Sequence, residues 1–218
     1  MVVQESLVSL AAADVRRLIV TGQLAPGSRV SEPPLAEKLQ ISRPPLREAL
    51  RILESEGLLE QTPRRGYRVV EMSAADVDEI YSLRHALERF ALELILADYD
   101  PARFDPLDEI MKRMRRAAKK RDHAEVIQCN IDFHLAVIGA CGHKRLSAAY
   151  RALMGQMQLC MAANVLTEAK SAGDLLRGCE RHERLLEGLR SGDRELIVKE
   201  FSEHGERDYL NRPGGERS

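Results

Sequence analysis

The sequence predicts a mainly α-helical protein with one small β-hairpin, divided into two domains at residues 1–72 and 73–212. The first observation is the placement of its nine prolines, most of which lie at or before position 63 and divide that region into short elements. The second is the helical spacing of apolar residues after Ser73, where no strand pattern is visible. Together these observations predict a small N-terminal domain followed by an all-helical bundle of about six helices.

The composition narrows the class of protein. With 218 residues, 44% of them hydrophobic and 31% charged, the chain can build a core, which excludes a disordered chain. Its 33 basic and 34 acidic side chains nearly cancel, so any nucleic-acid surface must be local. No apolar run approaches the roughly 18 residues that a membrane-spanning helix needs, and the four cysteines form no C-x-x-C pair. We therefore expect a soluble cytoplasmic protein with reduced thiols.

The N-terminal elements follow from short local patterns. Regularly spaced apolar residues predict a first helix that ends at Gly22. A short strand at Arg29-Val30 precedes a second helix, which Ser31 is placed to cap. Ser42 is expected to supply the cap oxygen of a third helix, and a hairpin follows over residues 58–70. This order of elements is that of a winged helix-turn-helix domain.

Arginines occupy the positions from which such a domain contacts DNA. Arg47 and Arg51 lie opposite the leucine side of the third helix, and Arg43 stands at its start. A helix N-terminus favours phosphate, and arginine can bind guanine in the major groove through two hydrogen bonds. The residues predicted to contact DNA in the helix and the wing are Arg43, Arg47, Arg51, Arg64, Arg65 and Gly66. An ordinary solvated basic face is the alternative.

Several segments, in order, resemble the DNA-binding domain of the GntR family over about residues 4–72. Two residues depart from the family pattern. Pro33 occupies a position where the family often has an arginine that reaches DNA, and Pro44 stands where many members have a small residue. The operator sequence is therefore not carried over with the resemblance. The matching segments are 22–30, 35–39, 42–50 and 53–58.

Polar residues in the second domain fall on helix faces that are otherwise apolar. Arg84 and Glu88 share one such stripe. Three histidines on three different helices favour a convergent site, because buried imidazoles need partners and a metal ion supplies one. The polar residues on these other helices are Asn130, His134, His182 and His204.

This second region resembles the FCD-type ligand-binding domain of the FadR subfamily of GntR regulators, over about residues 75–210. The matching segments are 83–88, 130–134, 182–186 and His204. The resemblance implies a divalent metal, zinc or another transition metal such as nickel, held by an aspartate and three histidines and often completed by a carboxylate effector. Carried over, the metal ligands are Asn130, His134, His182 and His204. Asn130 departs from the family aspartate and offers only a neutral carbonyl oxygen, a weaker donor for a dication.

Two features of the second domain allow alternatives. Without a metal, the histidines and Arg84 could bind an anion directly, and Arg84 is our predicted effector-binding residue for a small organic acid. Arg84 could instead pair with Glu88 at i,i+4 or form a dimer contact. The basic stretch 111–121 is typical of a solvated helix end, with a second DNA contact as its alternative.

These patterns predict a ligand-responsive, DNA-binding transcriptional regulator. We expect a repressor that a small carboxylate releases from DNA, acting as a homodimer on an inverted-repeat operator. We do not expect an enzyme, because the sequence has no H-E-x-x-H motif, no placed nucleophile and no evident general base near the histidines. The alternatives are a metal-dependent enzyme that uses the three-histidine site and a DNA-binding protein that responds to no effector.

Overall fold

The computed structural model describes residues 6–62, 66–171 and 175–204, with residues 163–171 and 202–204 described by their backbone alone. As predicted, the described chain is mainly helical and has one small antiparallel sheet. The helices are α1 (Leu7–Val20), α2 (Glu32–Leu39), α3 (Arg43–Ser55), α4 (Ala74–Ala97), α5 (Pro106–Lys120), α6 (His123–Ala140), α7 (Lys144–Ser171), α8 (Leu176–Ser191) and α9 (Arg194–His204). The strands are β1 (Arg29–Val30), β2 (Leu59–Thr62) and β3 (Gly66–Val69), and a single 3-10 turn spans Pro101–Phe104.

The first region is a winged helix-turn-helix domain. Its sheet has the order β1-β3-β2, with the β2–β3 hairpin forming the wing. Gln40 adopts a left-handed conformation at the end of α2, which turns the chain into α3. The leucines on the inner side of α3 are fully buried against α1, α2 and the sheet. Burial of this side leaves the opposite side of α3 facing outward.

The expected caps at Ser31 and Ser42 are absent. Both serines precede their helices in extended conformation, yet neither side chain accepts a capping hydrogen bond. The reason lies in the following residues, because each helix has prolines at its second and third positions. Proline has no N–H to donate, so the serine oxygens have no partner where a cap normally finds one.

Helices α4 to α9 form the second region around a separate hydrophobic core. Ser73 and Asp76 form a capping box at the start of α4, with each side chain bonded to the other's backbone N–H. The apolar spacing predicts the last three helices at about 144–168, 174–190 and 193–210. The observed α7 continues to Ser171, α8 spans Leu176–Ser191 and α9 begins at Arg194. The last helix, predicted over 193–210, is described as α9 up to His204, and its remainder lies outside the described residues.

The two regions pack directly on each other. Val20 at the end of α1 is buried in the core of the second region, and Leu159 of α7 packs against the core of the first. Arg17 of α1 is 3.3 Å from the carboxylate of Asp122, which caps α6. Within the described ranges, no helix is both long enough and apolar enough to span a membrane.

Candidate functional site

The recognition helix α3 presents its arginines on the outer side. Arg43, Arg47 and Arg51 are all exposed, opposite the buried leucines. Arg47 donates from Nε to Glu32 Oε2 at 2.8 Å, and Arg51 donates from Nη1 to Glu48 at 2.7 Å. Exposed ion pairs contribute little free energy, so both guanidinium groups can exchange these carboxylates for DNA.

The wing brings together positive charge that the sequence only partly indicated. Gly66 has a φ of +82°, and no described residue lies within 4 Å of the position that a Cβ would occupy. Arg29 of β1 lies directly opposite Arg68 of β3, and both are exposed. Like charges in such a pair repel each other, and a bound phosphate would remove that cost. Arg29 is thus a further candidate, whereas Arg64 and Arg65 lie outside the described residues.

A buried polar cluster lies where α4, α6, α7 and α8 meet. We use this name for five side chains that are at most 5% exposed: Arg84, Glu88, His134, Tyr150 and His182. The centre of the cluster is Glu88 Oε1, which accepts hydrogen bonds from Arg84 Nε at 2.8 Å and from the Tyr150 hydroxyl at 2.7 Å. The predicted Arg84–Glu88 pair is therefore present and buried.

His134 connects to both members of that ion pair. Its Nδ1 lies 3.3 Å from Glu88 Oε1, and its Nε2 lies 3.0 Å from Arg84 Nη2. Both contacts are satisfied by a neutral imidazole that donates from Nδ1 and accepts at Nε2. Burial, together with the charge of Arg84, lowers the pKa of His134, so the ring is neutral near pH 7.

The ionisation of the remaining members follows from burial and from the Arg84 charge. Burial alone would raise the pKa of Glu88, but Arg84 and the hydrogen bonds from His134 and Tyr150 lower it below its usual range. Burial, followed by the charge of Glu88, raises the pKa of Tyr150 well above its usual value. The cluster thus holds one positive and one negative charge that cancel, together with neutral histidines and a neutral tyrosine.

His182 and Asn130 form a second contact beside the cluster. His182 Nδ1 is 2.7 Å from the carbonyl oxygen of Gly178, and Nε2 is 3.0 Å from Asn130 Oδ1. Burial, followed by the charge of His134, lowers the pKa of His182 well below its usual value, so the ring carries a single N–H. If Nδ1–H donates to Gly178, the Nε2 lone pair faces an oxygen lone pair. The amide must then either turn its NH2 group toward Nε2 or share a cation with it.

Three of the four predicted metal ligands thus lie close together. The His134 and His182 rings are 5.6 Å apart between centroids, and Asn130 joins them through His182. Within the described part of the chain, no group of three or more His, Cys, Asp or Glu side chains is arranged to hold a metal ion. His204 ends α9, but its side chain lies outside the described residues.

Sequence reasoning missed Tyr150 as a member of the cluster. Leu146, Tyr150, Leu153 and Met157 are all buried along one side of α7, at helical spacing. That spacing places the Tyr150 hydroxyl inside the bundle, where a buried phenol usually has a hydrogen-bond partner.

A cavity of about 760 Å³ between α4 and α9 reaches Glu88 from outside the bundle.

The basic stretch 111–121 faces carboxylates. Arg113 pairs with Glu125 and Asp132, at 2.9 and 3.1 Å. Arg115 lies 3.1 Å from Glu183, and Arg116 lies 3.3 Å from Glu109. This pairing favours the solvated helix end over a second DNA contact.

Comparison with known proteins gives one answer for both regions. A profile of the bacterial regulatory proteins of the gntR family matches residues 7–69, and a profile of the FCD domain matches residues 79–207. The transcriptional regulator YdhC of Bacillus subtilis is 28% identical over 89% of this chain and 85% of its own. The gluconate operon transcriptional repressor of Bacillus licheniformis is 27% identical over 88% of this chain and 79% of its own. The solved structure of Escherichia coli McbR/YncC superposes with a TM-score of 0.73 at 28% identity, covering 93% of this chain and 94% of that one.

Proposed function

Because the chain belongs to the GntR family of bacterial regulatory proteins and carries the FCD domain of its FadR-type members, we propose that it is a repressor released from its operator by a small carboxylate. Membership makes it a DNA-binding transcriptional regulator and not an enzyme. One relative is itself named a transcriptional repressor, which supports that sign of regulation. The observation that carries the ligand response is the buried polar cluster, since a core rarely retains so many polar side chains without a function. Such a regulator acts on the chromosome, so we also propose a cytoplasmic location.

We propose that Asn130, His134, His182 and His204 hold a divalent metal, zinc or a related transition metal. The 3.0 Å distance between His182 Nε2 and Asn130 Oδ1 supports this, because a cation would bind both atoms when His182 Nδ1–H donates to Gly178. The metal would supply a positive centre that attracts a carboxylate. Arg84 Nη2 now contacts His134 Nε2 and would have to release that atom to a metal. Asn130, as a neutral ligand, would make the site weaker than one built on aspartate.

The charge balance of the cluster defines what the effector must be. Glu88 compensates the charge of Arg84, so Arg84 alone attracts an anion only weakly. A carboxylate would need the metal as its main partner, with the remaining N–H groups of Arg84 fixing its orientation. We therefore propose a small organic acid that binds both, with Arg84 as a positioning residue.

We further propose a homodimer on an inverted-repeat operator. The C-terminal region exposes large apolar side chains on α4, with Leu83 at 50% and Phe90 at 43% exposure. The two are seven residues apart, so they lie on one side of the helix, as expected of a face that is covered by a partner. Sedimentation equilibrium of Phe90→Glu against the unmodified protein tests this, with a shift toward monomer expected and an unchanged mass contradicting it.

Metal content and ligand binding together test the proposed site. The purified protein should contain about one divalent metal per chain, and thermal-shift screening should find small carboxylates that stabilise it. His182→Ala should lose the metal, whereas His85→Ala, a change at a half-buried histidine of α4, should retain it. Asn130→Asp should bind the metal more tightly. A purified protein that contains no metal and has the same melting temperature with and without chelator would contradict the metal proposal. Unchanged metal affinity in Asn130→Asp would exclude Asn130 as a ligand.

A further inference from the structure

A second cavity lies between the two domains, with lining residues different from those of the buried polar cluster. Its volume is about 920 Å³, a size typical of small-molecule sites. One wall comes from α1 and the C-terminal end of α3, and the other comes from α6 and α7. A ligand in this cavity would therefore contact the DNA-binding domain and the FCD domain at the same time.

The α7 wall of the cavity is positively charged. Lys144 and Arg151 are exposed and lie seven residues apart, on one side of the helix. Neither group has a carboxylate ion-pair partner among the side chains that the structure describes. Among the described lining residues, the one acid is Glu56, and Arg16 of α1 holds it at 2.6 Å. The surplus positive charge favours an anionic ligand.

The buried end of the same wall needs a hydrogen-bond donor. Gln158 lines the cavity about two turns beyond Arg151 on the same side of α7 and is only 7% exposed. Its Oε1 is buried and accepts no hydrogen bond from any described residue. A buried carbonyl oxygen without a donor is rare and unfavourable, so the amide gains if it turns toward a ligand hydroxyl. The hydroxyls of Ser55 and Ser147 also line the cavity.

The cavity depends on one close contact between the domains. The backbone oxygen of Glu56, at the end of α3, lies so near Gly155 of α7 that an added Cβ would be 1.5 Å from it. Only glycine permits this approach. A ligand that bridges both walls would favour this domain arrangement over others, and the affinity for DNA would change with it.

We propose that the interdomain cavity binds a small anionic polyol, such as a sugar phosphate or sugar acid, and that its occupancy changes operator affinity. The anion binds Lys144 and Arg151, and the hydroxyl groups bind Gln158 and its polar neighbours. This site shares no lining residue with the carboxylate site in the bundle. Linkage requires that ligand and operator change each other's affinity by the same factor.

Calorimetric titration of the full chain tests binding, with glucose 6-phosphate and glucuronate as the probes. Glucose lacks the charge and inorganic phosphate lacks the hydroxyls, so both should bind at least about tenfold more weakly. The double variant Lys144→Gln/Arg151→Gln should weaken binding of the anionic polyols by about tenfold or more. Lys112→Gln/Arg116→Gln, which removes two exposed charges from α5, should not. Absence of saturable binding of both probes at millimolar concentration, or equal affinity in the first double variant, would overturn the proposal.

Two further variants test whether Gln158 binds the ligand or only stabilises the fold, and whether polyol binding depends on the buried polar cluster. Gln158→Leu removes the donor-less oxygen, so it should raise the melting temperature and yet weaken polyol binding. Arg84→Met/Glu88→Gln, in the polar cluster, should leave polyol binding unchanged. The bound probe should change the dissociation constant of the operator by a measurable factor. The bound operator should change the dissociation constant of the probe by the same factor. Unchanged polyol affinity in Gln158→Leu, or no mutual effect between probe and operator, would contradict the proposed role.

Discussion

At the scale of single residues, the bundle core depends on one carboxylate oxygen. Glu88 Oε1 accepts from Arg84 and from Tyr150, and His134 lies 3.3 Å away. Tyr150→Phe keeps the ring but removes one donor from a buried charged group. We expect the free energy of unfolding to fall by about 1.5–3 kcal/mol, measured by urea denaturation. Tyr99→Phe, which removes bonds to two neutral carbonyls, should cost less, about 1 kcal/mol. Equal losses would mean that Glu88 does not depend on the Tyr150 hydroxyl.

The buried histidines predict how stability depends on pH. His134 and His182 both have pKa values below the ordinary 6.5, so the unfolded chain binds protons more readily than the folded one. Their contribution is complete above about pH 6.5 and is lost as the pH falls from there toward the lower folded values. With chelator present, the melting temperature should drop between about pH 7.5 and about pH 5.5, and drop less in His182→Gln. The same slope in His182→Gln and the unmodified protein would contradict the assignment.

At the scale of elements, α3 is the recognition helix of the winged helix-turn-helix domain. Its Arg47 is paired with Glu32 near the surface, so we expect its loss to affect DNA binding more than folding. Arg47→Ala should weaken operator binding by about 1–3 kcal/mol and relax one base position. Arg116→Ala is a matched control, because it also removes an exposed arginine that is paired with one glutamate, but in the FCD domain. Fluorescence anisotropy with a duplex selected by the unmodified protein measures both variants at the same salt concentration. Equal affinities for the two variants would remove Arg47 from the interface.

The elements also show how far the sequence could predict the structure. The order of helices and strands was predictable because proline placement and apolar spacing act locally. The prediction of caps at Ser31 and Ser42 was wrong for an equally local reason. Prolines are favourable in the first turn of a helix, but they lack the backbone N–H groups to which a capping side chain would bond. The buried Arg84–Glu88 pair was foreseeable from its i,i+4 spacing. The hydrogen bond from the Tyr150 hydroxyl to Glu88 joins residues that are 62 positions apart. It depends on how α4 and α7 pack, which no local sequence pattern indicates.

At the scale of the whole molecule, two domains share a packed boundary. The contact of Glu56 with Gly155 connects the DNA-binding domain to α7, which carries Tyr150, and the ion pair of Arg17 with Asp122 connects it to the start of α6. Because Asp122 caps α6 and His134 lies within it, a shift of this helix on effector binding would reach α1 directly. Ligand control of DNA binding then requires only that the effector prefer one domain arrangement.

We propose above all that a carboxylate bound in the FCD bundle releases the protein from DNA. Operator affinity with and without the carboxylate found by screening tests it most directly, in the unmodified protein and in Arg84→Met/Glu88→Gln. The double variant removes both members of the ion pair, because losing Arg84 alone would leave Glu88 buried without its partner. We predict that the carboxylate weakens operator binding of the unmodified protein by at least about tenfold, while the variant binds the operator equally well and is not released. Unchanged operator affinity at saturating carboxylate, or equal release of the variant, would contradict the claim.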